Sequence, residues 1–190
     1  MEEWLDEIDG DLPEGLLEWS RGFDTLALAF AACPHAEWRL WLATYLATTD
    51  EEHRCCAQAA LRVARALVAS LPAPQPLATR ALELAERWAV TRSRDEGYED
   101  TMQALDEACG ASMPSLVGLV RSAVWFADFE ACVGIDGACN VTDLFVDARA
   151  LAQSVGGAAV EESLLLVLAE DLRTMLPMPQ RAGRHRRSSH

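Results

Sequence analysis

The sequence predicts an all-α protein: a single compact bundle of about seven helices, arranged mostly as antiparallel helical hairpins. Three observations predict it. Apolar residues recur at helical spacing along nearly all of the 190 residues. No alternating run of strand length occurs, and apolar runs such as LLLVL are flanked by helix formers. Breaks bearing proline or glycine fall at intervals that suit helices joined by short turns. With 51% hydrophobic residues, a chain of this length buries a core without staples.

Residues 2–8 have room for only a short turn or two. Pro13 suits the first turn of a helix running to about Ala32, weakened by Gly15 and Gly22. Pro34 opens the next helix, in which Trp38, Trp41, Leu42 and Tyr45 recur at i, i+3, i+4 and i+7, a heavy aromatic stripe expected to face the core. Thr49-Asp-Glu-Glu52 has the form of a capping box, so a helix starts there and runs to about Leu71. Its apolar side is Cys56, Ala60, Val63, Ala64, Leu67 and Leu71; its wet side is Arg54, Gln58, Arg62 and Arg65. LPAPQP stops it. A helix over about 76–92 follows, with Leu77, Ala81, Leu84, Ala85 and Trp88 inward and a Glu83–Arg87 pair at i, i+4 outward. The two helices read as an antiparallel hairpin.

After the polar break TRSRDEGYED, a helix over about 97–109 ends near Gly110. The helix begun by Pro114 is expected to be central, because Arg121 is its only charge between Ser115 and Ala127. VGIDGACN reads as a loop, after which Thr142 caps a helix carrying Leu144, Ala148, Leu151, Ala152 and Val155 and broken at Gly156-Gly157. A last helix over about 158–176 ends at LPMP. The domain reading is an acidic helical extension over 1–32 packed on the bundle, a helical domain over 33–180, and a disordered arginine-rich tail over 181–190.

Net charge is −14, and all sixteen basic residues are arginine. Four of them lie in the last ten residues, so residues 1–180 carry twelve arginines against thirty acids, or −18. Such a body repels nucleic acid and attracts basic partners, although acidity also serves solubility alone. No nucleic-acid partner is expected, and no membrane: the most apolar stretch, SLVGLVRSAVWFA, is short and interrupted by Arg121. The N-terminus has neither a basic segment nor a long apolar one, so the expectation is a cytoplasmic chain whose six cysteines stay reduced.

The motifs of chemistry are missing. There is no G-x-x-x-x-G-K-[ST], no G-x-S-x-G and no H-E-x-x-H. Cys33-Pro-His35 and His53-Arg-Cys55-Cys56 are conceivable zinc ligands, but neither has C-x₂₋₄-C spacing, and the plainer reading is packed cysteines and surface histidines. The expectation is therefore no catalytic residue, no metal and no cofactor.

Several segments together resemble a known family: "CPHAEWRLWLA", "CCAQAALRVARALV", "ATRALELAERWA" and the closing "LAEDLRTMLPMP". In this order, over about residues 33–179, they resemble the Imm-5-like family of small all-helical bacterial immunity proteins from polymorphic toxin systems. The first 32 residues look like an addition to that pattern, and residues 111–155 are richer in Val, Phe and Gly. The resemblance implies a protein that binds and blocks a cognate toxin, and it offers no catalytic residues to carry over.

On that reading the partner is a toxin with a basic surface, and the opening stretch acquires a role. Glu2, Glu3, Asp6, Glu7, Asp9, Asp11, Glu14 and Glu18 supply a negative field, and Trp4 and Trp19 supply apolar anchors. The competing reading is a mobile acidic tail whose tryptophans dock on the bundle. A helical adaptor or scaffold in a signalling or defence assembly is the alternative function.

Overall fold

The structure, a computed structural model, describes residues 15–47, 49–127 and 134–156. Among these residues there are eight α-helices and no strand. They are α1 (Leu16–Ser20), α2 (Leu26–Ala32), α3 (Ala36–Leu46), α4 (Asp50–Ser70), α5 (Pro76–Thr91), α6 (Tyr98–Cys109), α7 (Pro114–Trp125) and α8 (Gly134–Gly156). The short turns expected over 2–8, the helix expected over 158–176 and the tail from 181 lie outside the described residues. None of the described helices is long and apolar enough to cross a membrane.

The helix expected from Pro13 to Ala32 is broken in two. Gly15 starts α1 with φ +85, in the left-handed region, where the Trp38 ring would lie 3.5 Å from an added Cβ. Gly22 and Phe23 then close turns onto Trp19 and Ser20, and Thr25 takes an extended backbone. The Thr25 hydroxyl accepts from Leu28 N at 3.2 Å, so this residue restarts the helix instead of continuing it.

Pro34 precedes α3 rather than opening it; the cap is His35. Trp41 and Leu42 of the aromatic stripe are buried, while Trp38 and Tyr45 are half-buried. The helix is inside on its other faces too. Arg39 is fully buried, donates to the Cys33 carbonyl and holds its guanidinium 5.6 Å from the Phe30 ring centre. A sequence-level stripe could not reveal that α3 is wrapped.

The α4–α5 hairpin follows its sequence closely. Thr49 N donates to Glu52 Oε2 at 2.9 Å and Glu52 N donates to Thr49 Oγ1 at 3.3 Å, completing the capping box. Asp50, Glu51 and Glu52 in the first turn favour the positive end of the helix dipole. Arg92 reaches Asp50 at 3.3 Å and Arg65 reaches Glu86 at 2.5 Å. The end of α5 thus lies beside the start of α4, and the pair is antiparallel. The expected Glu83–Arg87 pair does not form: Arg87 bonds Asp95 in the following loop, and Glu83 sits 3.8 Å from Arg80. Asp95, held in its own turn, accepts from both Arg87 Nε, at 3.2 Å, and Nη2, at 2.7 Å, on its Oδ2.

α7 is the central helix, as its lack of charge predicts. It packs against α4, α5, α6 and α8, and Leu116, Val117, Leu119, Val120, Ala123 and Val124 are buried. α8 lies along it and also covers α3 and α4. The segment read as a loop is mostly helix: residues 134–140 form the first turns of α8, and Thr142 is inside the helix rather than its cap. Val141, Leu144, Phe145 and Ala148 are buried at i, i+3, i+4 and i+7. That burial against three helices outweighs the about 1 kcal/mol that each glycine costs a helix.

Candidate functional site

The ten residues expected to hold a partner divide at the limit of the description. Glu2, Glu3, Trp4, Asp6, Glu7, Asp9, Asp11 and Glu14 lie outside the described residues. Glu18 is exposed on α1. Trp19 is half-buried in an aromatic cluster, 4.6 Å from the Phe23 ring and 6.0 Å from that of Trp38. It is held by the bundle more than it is offered to solvent.

The two histidine–cysteine pairs do not come together. His53 is buried, with Nε2 3.1 Å from the Ala47 carbonyl, which ties the α3–α4 turn; it is not the surface histidine expected. Cys33 is buried and its thiol donates to the His35 carbonyl at 3.4 Å. Among the described residues, no three His, Cys, Asp or Glu side chains gather as a metal ion requires.

A different place carries the surface features of a binding site. Arg92, at φ +59, turns the chain sharply out of α5, and the loop then leads into α6. Asp95 accepts from Arg87 Nη2 at 2.7 Å and from Gly97 N at 3.2 Å, which pins the loop. The Arg87 guanidinium and the Gly97 amide hold the Asp95 carboxyl below the usual carboxylate range. So fixed, Arg94 stacks in an aromatic slot, its guanidinium 4.7 Å from the Trp88 ring centre and 5.2 Å from that of Tyr98. Its Nη1 donates to Glu99 Oε1 at 2.5 Å. Burial pushes the Tyr98 phenol above its ordinary value, with Glu99 adding to the effect.

This slot is one end of a groove of about 530 Å³ between α5, α6 and α7. Met102 forms its floor with Val124, and Arg121 faces Asp106 across it at 3.7 Å. Trp125 forms the far wall. It is 48% exposed, the one exposed aromatic among the described residues' large apolar side chains. Glu96, in the loop just before α6, and Asp100 and Glu107, on α6, are exposed. Glu96 and Asp100 make no ion pair among the described residues, and Glu107 accepts from Gln103 at 2.8 Å.

The groove presents flat aromatic faces, paired charges and an acidic margin. These are the means of holding a cationic or planar group by stacking and charge, and the described lining includes no histidine or cysteine. Sequence reasoning missed the groove because Trp88, Tyr98 and Trp125 belong to three helices, and each alone reads as a core residue. The usable signal was the end position of Trp125, on an otherwise apolar helix, beside an acidic one.

A second cavity, of about 600 Å³, lies under the α4–α5 elbow, lined by Leu71, Pro72, Pro74, Pro76 and Leu82. It is walled by the proline turn, and Arg65, Arg80 and Glu83 are also in its lining. No protein-family model, curated protein or solved structure matches this chain.

Proposed function

We propose that this chain is a non-catalytic binding protein of the immunity type, which docks on a bacterial toxin with a basic surface and blocks it in the cytoplasm. The observation that carries the reading is Trp125, half exposed at the mouth of a groove whose margin is the acidic face of α6. A large aromatic held at a rigid helix end, in a groove that also holds Glu99 and Asp106, combines a hot-spot anchor with a field that steers a cationic partner. The net charge of −14 acts in the same direction at longer range. The choice of a toxin as the partner rests on the sequence resemblance of residues 33–179 to Imm-5-like proteins.

The test begins with the neighbouring reading frame. If it encodes a secreted protein with a basic C-terminal domain, that domain is expressed alone and with this chain. Co-expression is expected to restore growth, and Trp125→Ala together with Glu96→Lys, Asp100→Lys and Glu107→Lys is expected to abolish the rescue. Association is expected to slow about tenfold or more between 0.05 and 0.5 M salt. Rescue that survives all four substitutions, or an association rate indifferent to salt, refutes the site.

A further inference from the structure

We propose that the groove between α5, α6 and α7 is the docking place of this chain's own arginine-rich C-terminal segment, residues 181–190, which thereby competes with any basic partner for the same face. The groove itself demonstrates the chemistry it accepts. Its inner slot already holds a guanidinium, that of Arg94, within cation–π distance of both the Trp88 and the Tyr98 ring and paired with Glu99. The outer half repeats these ingredients: Trp125 offers a half-exposed indole, and Asp106 lies 3.7 Å from Arg121. Asp100 and Glu107 on α6, and Glu96 in the loop just before it, are exposed and add surplus negative charge. A second guanidinium fits this half as Arg94 fits the first.

The chain carries that group in quantity. Arg181, Arg184, Arg186 and Arg187 lie within RAGRHRRSSH, and no acidic residue follows Asp171. The complementary charges therefore belong to one molecule. Twenty-four residues lie between Gly156, the last described residue, and Arg181. They span about 40 Å as helix and about 80 Å fully extended, against a radius of about 15 Å for a domain of this size. Reach is no obstacle.

Tethering makes weak contacts count. A decapeptide offering a few stacked and paired arginines binds at a Kd of about 1 mM, and a tethered segment sees an effective concentration of the same order. The segment is then docked a large part of the time and yields to a better basic ligand. It sets a threshold that a partner has to exceed.

The test compares the full chain with a full-length variant bearing Arg181→Gln, Arg184→Gln, Arg186→Gln and Arg187→Gln. The readout is the set of six tryptophan indole N–H signals in a heteronuclear NMR spectrum, each assigned by a Trp→Phe substitution. The indole signals of Trp125 and Trp88 are expected to differ between the two chains while that of buried Trp41 stays in place. Salt at 0.5 M is expected to move the wild-type signals onto the variant's, and a synthetic peptide of residues 181–190 added to the variant is expected to move them back. Identical spectra overturn the proposal. So does a change centred on Trp19 and Trp38, which places the segment on another face. A difference that grows with protein concentration also overturns it, since the occupant is then the tail of a second copy.

Discussion

Replacing Gly118 with alanine puts a methyl group where the Asp147 side chain now lies. An ideal Cβ there stands 2.1 Å from Asp147 Oδ2, 2.6 Å from Cγ and 2.8 Å from Oδ1. All three atoms are too close, so a flip of the carboxylate alone does not relieve the clash; the side chain has to swing about χ1 or α8 has to move off α7. These two helices share the most extensive packing of the bundle, and overpacking of this kind costs about 1–3 kcal/mol. Alanine in place of glycine in a helix interior returns about 0.8–1 kcal/mol. The net expectation for Gly118→Ala is a destabilisation of about 0–2 kcal/mol. The sign is expected to change when Asp147 is removed: in an Asp147→Ala background the same substitution gains about 1 kcal/mol. Urea unfolding of the four chains of this cycle, with m-values checked for constancy, gives a coupling of about 1–3 kcal/mol. Free energies that add to within about 0.5 kcal/mol refute the account of the α7–α8 contact.

Three further predictions rest on other parts of the fold. Thr49→Ala removes the cap of α4 and is expected to cost about 1 kcal/mol in urea unfolding; Glu52→Ala tests the reciprocal bond. Trp41→Ala, at a residue 1% exposed, is expected to cost about 3–5 kcal/mol, whereas Trp125→Ala leaves stability nearly unchanged and weakens only partner binding. Burial, and then the nearby Asp143 charge, push the Asp147 carboxyl above the usual carboxylate range, so protonating it favours the folded state; its contribution is fully present below its unfolded pKa and is lost as pH rises through the folded one. Asp147→Asn is therefore expected to gain on the wild type as pH rises from the carboxylate range to neutrality, and equal pH profiles for the two chains refute the shift.

What was legible in the sequence was local, and what was hidden was long-range. Thr49-x-x-Glu52 states a helix start in four residues, and LPAPQP states a stop in six, so the α4–α5 hairpin could be read directly. The centrality of α7 was legible because burial on all sides demands apolar residues on all sides. The start of α8 was not, since Gly134 and Gly137 argue for a loop by propensity while packing of the next turns against α3, α4 and α7 decides for helix. Arg39 reads as a solvent-facing charge until the bundle closes over it. The groove required knowing that residues 88, 98 and 125 meet, and no periodicity within one helix carries that information.

The arrangement of charge explains how an acidic chain comes to have a defined acidic face. Among the described residues, Arg54, Arg65, Arg80, Arg87, Arg92, Arg94, Arg121 and Arg149 each form an ion pair with an acid. Several brace neighbouring elements: Arg65–Glu86 and Arg92–Asp50 across the hairpin, Arg121–Asp106 between α7 and α6, and Arg149–Glu37 between α8 and α3. Each exposed pair is worth only about 0–1 kcal/mol, so their sum does not hold the bundle together. Their larger effect is on the outside field. Among the described residues most of the positive charge is spent in pairs, whose fields largely cancel beyond a Debye length of about 8–10 Å. What a distant partner senses is the acid left over, part of which is on α6, the helix that lines the groove with Trp125. An arginine freed from its acid would subtract from that negative field: Glu99→Gln removes the partner of Arg94, turns a neutral pair into a net positive charge in the groove, and is expected to weaken attraction for a basic ligand about as much as removal of any other carboxylate equally close to it, since each changes the local charge by one unit.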